Sequence, residues 1–365
     1  MALRDVVGQD RAVTILRKTL ERQRLPSSYL FTGDSGIGKK FTALNLAKAV
    51  NCLARVPDSG FRFPQNNSEH GTQNFELSSV DACDTCPSCR KVSAGIHPDL
   101  MLISPAGGQI RIEEIRSIDA ILALKAFEGR KKVVIVDDAE AMNSFAANAF
   151  LKTLEEPPPD SLIILVSSSP DLLPGTIRSR CVPIRFTPLS DSACEEVLKK
   201  MTPLHPQGKD KKPGRPAQEV THCLPENDLQ LSTLVRLSMG RPGHALQGGI
   251  VEERIAFLQL LREMQQTGTD GWSSKDEMER WFEFTLILLR DMAVWRVNGA
   301  EALLINRDLQ QDIENLSRET DLQGIIEIYR ALNSIRGHFR FHLNKALTWN
   351  YAGSLLRKTF GVHNA

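Results

Sequence analysis

The stretch Tyr29–Lys48, YLFTGDSGIGKKFTALNLAK, constrains this chain more than any other. A short apolar run (Tyr29, Leu30, Phe31) leads into a glycine-rich turn (Gly33, Gly36, Gly38). Lys39 follows, and then a helical pattern through Phe41, Leu44, Leu46 and Ala47. That is the strand–loop–helix order of a phosphate-binding loop, G-x-x-x-x-G-K-[ST]. Glycines there let backbone N–H groups converge on phosphate oxygens at a helix N-terminus, and Lys39 would reach the β/γ-phosphates. The last position departs from the pattern. Lys40 stands where a Ser or Thr hydroxyl holds Mg²⁺, and an ammonium there neither ligates a dication nor tolerates one nearby.

A phosphate loop of this kind is served by an acid at the end of a buried parallel strand. Val133-Val134-Ile135-Val136 is a continuous apolar run ending in Asp137-Asp138, which places Asp137 where a metal-holding carboxylate belongs. Asp138 is one methylene shorter than the Glu that polarises an attacking water, a second mark against hydrolysis. Further strands are expected at 99–103, Leu162–Val166 and Val182–Phe186. Helices are expected over 4–24, 111–128 and Asn143–Leu154, the last stopped by Pro157-Pro158-Pro159. Ser167, at the end of the Leu162–Val166 strand, would sense a γ-phosphate by hydrogen bonding or cap a turn. The segment around Gly8-Gln9 either covers a nucleotide base or is a packed amphipathic helix. Strand and helix alternate up to about Phe186, before Pro188, so the fold class is α/β with a parallel sheet.

The sequence holds seven cysteines. Cys83-Asp-Thr-Cys86-Pro-Ser-Cys89 puts three thiols on one tight knuckle through two overlapping C-x-x-C steps. Cys52, closing the helix after the phosphate loop, can complete a tetrahedral Cys₄ zinc site; His97 is the alternative fourth ligand. Four protein ligands leave no open position, so such a site is structural. Between Cys52 and the knuckle, Val56 to Asp81 is rich in Pro, Gly, Asn and Ser and reads as a long excursion.

From Leu189 to about Leu246 the pattern changes to short helices, interrupted by the basic, proline-rich stretch His205–Pro216, which reads as a solvated loop. From Val251 onward the pattern is helical. One stripe comprises Trp281, Phe284, Leu288, Met292 and Trp295; another comprises Leu322, Ile325, Ile326, Tyr329, Leu332 and Ile335. Both read as core or helix–helix interface. No apolar run approaches the ~20 residues needed to cross a bilayer, and the charged start MALRDVVGQDRAV is unlike a signal peptide, so the expected location is the cytoplasm with no membrane partner. A formal net charge of +1 gives no global attraction to nucleic acid.

Taken together, Val7-Gly8-Gln9, the altered loop GDSGIGKK, the cysteine knuckle with Cys52, Leu151-Lys-Thr-Leu-Glu-Glu-Pro-Pro158 and Ser179-Arg180-Cys181 resemble the delta-prime subunits of the bacterial DNA polymerase III clamp loader, of the AAA+ superfamily. The resemblance runs the length of the chain and is most specific over residues 8–186. It implies an AAA+ α/β domain over 1–187 with a zinc module at about 52–90 inside it, a helical lid over 188–248, and an all-α collar domain over 249–365. It also implies a subunit that does not hydrolyse ATP and acts as a rigid stator. Arg180 would be an arginine finger given in trans to the ATP of a neighbouring gamma/tau subunit. The implied zinc ligands are Cys52, Cys83, Cys86 and Cys89. Gly33, Gly36, Gly38, Lys39, Lys40, Asp137, Ser167 and Arg241 would form a degenerate ATP/ADP site. Implied partners are gamma/tau, delta, the beta sliding clamp and, through the assembly, primed DNA. The competing reading is an ATP-hydrolysing gamma-type motor subunit, which Lys40 and Asp138 oppose.

Overall fold

A computed structural model of the chain describes residues 1–54, 81–201, 228–246, 254, 256–258, 272, 274–339 and 343–359. The basic stretch 205–216 and all of the 56–81 excursion but Asp81 lie outside these residues. The described chain divides into two units, one of Met1–Val197 with Gly240–Gly243 and one of Leu198–Met239 with His244–Ala365. Among the described residues no helix is long and apolar enough to cross a membrane.

The first unit is built on five parallel strands: β1 (Ser28–Thr32), β2 (Leu100–Ile103), β3 (Lys132–Val136), β4 (Ser161–Ser167) and β5 (Val182–Arg185), in the order β2-β3-β4-β1-β5. Strands β3 and β4 are buried along their whole length, as continuous Val/Ile/Leu runs require when helices cover both faces. The helices of this unit are α1 (Asp10–Glu21), α2 (Lys39–Asn51), α3 (Pro87–Ser93), α4 (Ile112–Leu122), α5 (Ser144–Glu155) and α6 (Gly175–Arg178). Each has a local cause. In α1, Ala12, Leu16 and Leu20 repeat at one-turn spacing and are buried. The side chain of Asn143 caps α5 by accepting from Ala146 N–H at 2.8 Å, and the helix stops at Glu155 before the prolines.

Helix α4 is shorter than the apolar periodicity predicts. It ends at Leu122 rather than 128, because the buried Asp99 carboxylate accepts from the backbone N–H of Phe127, Glu128 and Gly129 at 2.7–2.9 Å and bends the chain toward β3. Leu124 and Phe127 are left exposed. Residue Asn51 works on the same bend: its Oδ1 accepts from Arg130 and Lys131 N–H, and its Nδ2 donates to the Lys131 carbonyl.

Helix α7 (Asp191–Met201) begins in the first unit. The second unit holds α8 (Asp228–Leu237), most of α9 (Pro242–Leu246), α10 (Lys275–Asn298), α11 (Gln310–Glu319), α12 (Leu322–Arg336) and α13 (Lys345–Thr359), with no strand among its described residues. The first expected stripe is its core: Trp281, Phe284, Leu288 and Met292 are buried, with Trp295 packed against them. Of the second stripe Ile325 and Leu332 are buried and Tyr329 faces solvent, while Ile328, outside that stripe, is buried beside them. A tight group of Trp272, Trp281, Phe282 and Trp349 rings anchors this core.

Candidate functional site

The phosphate loop lies between β1 and α2, as its strand–loop–helix sequence requires. Gly33 carries φ +138°, and a Cβ there would sit 2.5 Å from the Phe186 carbonyl oxygen, so only glycine lets the loop pass the end of β5. Gly36 and Gly38 also have positive φ, and Gly38 caps α2. Gln9, buried at the start of α1, fixes the loop from the other side: its Nε2 donates to the carbonyls of Ile37 (3.3 Å) and Thr187 (2.7 Å), and its Oε1 accepts from Thr187 N–H. The Gly8-Gln9 segment is thus a packed element tied to the loop. Gly243 N–H donates to the Gly36 carbonyl at 2.8 Å, which brings the turn carrying the half-buried Arg241 against the loop.

The two lysines have separate fates. Lys39 is buried and its ammonium turns back onto the loop, donating to the carbonyls of Gly33 (2.5 Å) and Asp34 (2.6 Å). Burial lowers its pKa, offset in part by Glu140, Asp138, Asp137 and Asp34. Lys40 reaches across to β3, where its Nζ lies 2.9 Å from Asp137 Oδ2. The residue in the hydroxyl position and the acid of the metal position are therefore paired with each other. Asp138 is pushed above the usual carboxylate range by burial and by the charges of Asp137 and Glu140. The donor set does not fit Mg²⁺, since the hydroxyl is missing and the carboxylate already has its cation.

Ser167 ends β4 fully buried, opposite Thr32 of β1. The following Ser168 and Ser169 bind a residue that sequence reasoning missed. Glu140 Oε1 accepts from Ser168 N–H (2.9 Å), Ser168 Oγ (2.6 Å) and Ser169 N–H (3.1 Å), locking the end of β4 to the end of β3. Burial raises the Glu140 pKa, but the hydrogen bonds, led by the Ser168 hydroxyl, outweigh it and leave the group below its usual value. The D-x-x-E spacing after the apolar strand was the available signal.

Arg180 lies at the surface between α6 and β5, flanked by the buried Ile177 and Cys181. Its guanidinium donates to the Thr176 carbonyl at 2.8 Å and is ion-paired with Glu155, the last residue of α5.

The cysteines come together although 31 residues separate Cys52 from Cys83. The sulfurs of Cys52, Cys83, Cys86 and Cys89 all lie within 4.8 Å of one another. The knuckle aims its backbone at them: Cys83 N–H donates to Cys52 Sγ (3.4 Å), Cys86 N–H to Cys83 Sγ (3.3 Å) and Cys89 N–H to Cys86 Sγ (3.5 Å). Such donors favour thiolate. The Cys89 thiol holds Cys52 well below the usual thiol range, while Cys89 itself is raised, first by Cys52. The geometry and chemistry of the cluster suit a tetrahedral structural zinc. His97 is outside the quartet; it is buried and engages Ser88 Oγ (3.1 Å) through Nε2 and Asp99 N–H (3.1 Å) through Nδ1. The quartet is tied down by Asp81, whose carboxylate accepts from the N–H groups of Leu3 and Arg4.

The family model described as "DNA polymerase III, delta subunit" matches residues 8–190. The Bacillus subtilis protein named DNA polymerase III subunit delta' is 28% identical over 347 residues, covering 92% of each chain. The Pseudomonas aeruginosa protein of the same name is 35% identical over 157 residues, 42% of this chain and 41% of that one. DNA polymerase III subunit tau of Escherichia coli is 32% identical over 49% of this chain but only 24% of its own length. Among solved structures, a gamma-subunit-related protein from Thermotoga maritima aligns over 95% of this chain and 99% of its own, with 15% identity and a TM-score of 0.41.

Proposed function

The chain belongs to the DNA polymerase III delta-subunit family, among its delta-prime clamp-loader proteins, and we propose that it serves there as a stator that donates Arg180 in trans. The observation that carries this reading is the placing of Arg180. Its guanidinium sits at the surface on a corner anchored by buried Ile177 and Cys181, in a chain whose own metal-position acid, Asp137, is already paired with Lys40. A guanidinium set beside the γ-phosphate of a neighbouring gamma/tau subunit would neutralise charge spreading over the equatorial oxygens. That effect is worth about 10³–10⁵ in rate in other phosphoryl-transfer systems. The chain itself would turn over no ATP, so the degenerate loop serves as structure.

On this reading residues 1–187 form the AAA+ domain, 188–248 a lid and 249–365 a collar that joins delta and gamma/tau. The assembly acts in the cytoplasm on the beta clamp and primed DNA. Cys52, Cys83, Cys86 and Cys89 would hold zinc with no open coordination position, fixing the knuckle to the end of α2 rather than performing chemistry.

The test is ATP turnover by the cognate gamma/tau subunits assembled with delta and either the wild-type chain or Arg180→Ala, with clamp and primed DNA present. A large loss with Arg180→Ala, and none of the activity in the chain alone, is the expected result. An unchanged rate would remove the finger; turnover by the isolated chain would make it a motor.

A further inference from the structure

A phosphate loop normally shares a divalent cation with the acid at the end of the neighbouring strand, and that ion is the largest local charge in the site. The cation is also a fastener, joining the first turn of the loop helix to the sheet. In this chain the place is contested by three acids within four residues: Asp137, Asp138 and Glu140. Glu140 commits its Oε1 to Ser168 and Ser169, while its buried Oε2 has no hydrogen-bond partner. Lys39 is committed to the loop carbonyls of Gly33 and Asp34. What meets Asp137 is the ammonium of Lys40, the second residue of α2, at 2.9 Å.

The geometry points to Lys40 as a covalently attached replacement for the divalent metal, one that joins α2 to the end of β3 without metal or nucleotide. The two groups are only partly shielded, with side-chain exposures of 43% for Lys40 and 16% for Asp137. A carboxylate that lost this partner would stand beside two other acids and would recruit a cation from solution. This inference concerns the chain's own loop and stands whether or not Arg180 acts in trans.

The test uses the full chain in buffer freed of divalent cations, with no chelator, so that the cysteine cluster is left undisturbed. Thermal unfolding is followed with and without added Mg²⁺, and Mn²⁺ is used as a paramagnetic probe of Asp137. Wild type and Lys40→Arg should unfold at the same temperature with and without Mg²⁺ and should show no Mn²⁺ broadening at Asp137. Lys40→Thr, which restores a hydroxyl and strips Asp137 of its partner, should unfold at lower temperature and recover on adding Mg²⁺, because binding to the native state alone is stabilising. The double variant Lys40→Thr/Asp137→Asn should recover stability without Mg²⁺ and lose the response. A Lys40→Thr chain as stable as wild type and indifferent to Mg²⁺ would overturn the inference. So would Mn²⁺ bound at Asp137 in the wild-type chain, a result that remains decisive if Lys40→Thr fails to fold.

Discussion

Glu155 holds the guanidinium of Arg180, the two lying 25 residues apart in sequence at the end of α5 and the turn before β5. Because the pair is partly exposed it adds little to folding stability. Its consequence is directional: with Thr176 it gives the guanidinium two fixed acceptors.

Replacing Glu155 by Gln removes the charge that orients the guanidinium while leaving the arginine in place. In the assembled complex this should lower turnover by about tenfold, equal to ~1.4 kcal/mol of transition-state stabilisation. The thermal midpoint of the isolated chain should be unchanged. Turnover equal to wild type would leave Glu155 without a role in aiming Arg180.

Asn51 spends its whole side chain on the backbone of Arg130 and Lys131. Asn51→Ala would strand partly buried N–H and C=O groups at the entry to β3, at a cost of roughly 2 kcal/mol. Urea unfolding should show a lower midpoint at unchanged slope. A shift of only a few tenths of a kcal/mol would mean that water replaces the amide.

Burial holds the His97 pKa below its ordinary value, outweighing the attraction of Glu128 and Asp99; Lys91 pushes it the same way. The folded imidazole binds a proton less readily than the unfolded one, which titrates near ~6.5. The associated stability is therefore complete above that pH and is lost as pH falls toward the folded value. Imidazole NMR shifts of His97 should show a midpoint below ~6.5, and His97→Gln should flatten this part of the pH–stability curve. A midpoint at or above the unfolded value would contradict the burial argument.

Metal analysis of the purified chain should return about one zinc per chain, as a four-thiolate site requires. Cys52→Ser should lower that occupancy and the thermal midpoint, and chelator should do the same to wild type. Full zinc retention by Cys52→Ser would show that the cluster uses three cysteines and a ligand from elsewhere.

What the sequence disclosed and what it hid divide along chain distance. The loop Gly33–Lys40 and the run Val133–Asp138 are contiguous, so their periodicity and residue types were enough to place strand, loop and acid. The three knuckle cysteines were legible for the same reason. Cys52 and His97 were both open as the fourth ligand in sequence, and only the fold, which brings the Cys52 sulfur within 4.8 Å of the other three, separates them. By contrast, Glu140 acquires its role from Ser168, 28 residues on, and Asp99 from amides as many as 30 residues away. The early end of α4 followed from that unseen carboxylate: Leu124 fits the apolar period but lies outside the core. Lys40 and Asp137 were each conspicuous alone; only the fold put them in contact.

Helix α2 is shared by both sites. Its first turn carries Lys39 and Lys40, and the residue that closes it is Cys52. At 1.5 Å per residue its 13 residues make a rod of about 20 Å. The rod is seated by Gln9 through Ile37 at one end and by the Asp81 clasp on the cysteine module at the other. A rod seated at both ends has little freedom to tilt, so a load applied to the cysteine module is delivered as thrust along the axis to the loop and the sheet behind it. The module is in this sense a footing, and a neighbour leaning on it would meet the stiffness of the whole α/β layer rather than that of a surface loop.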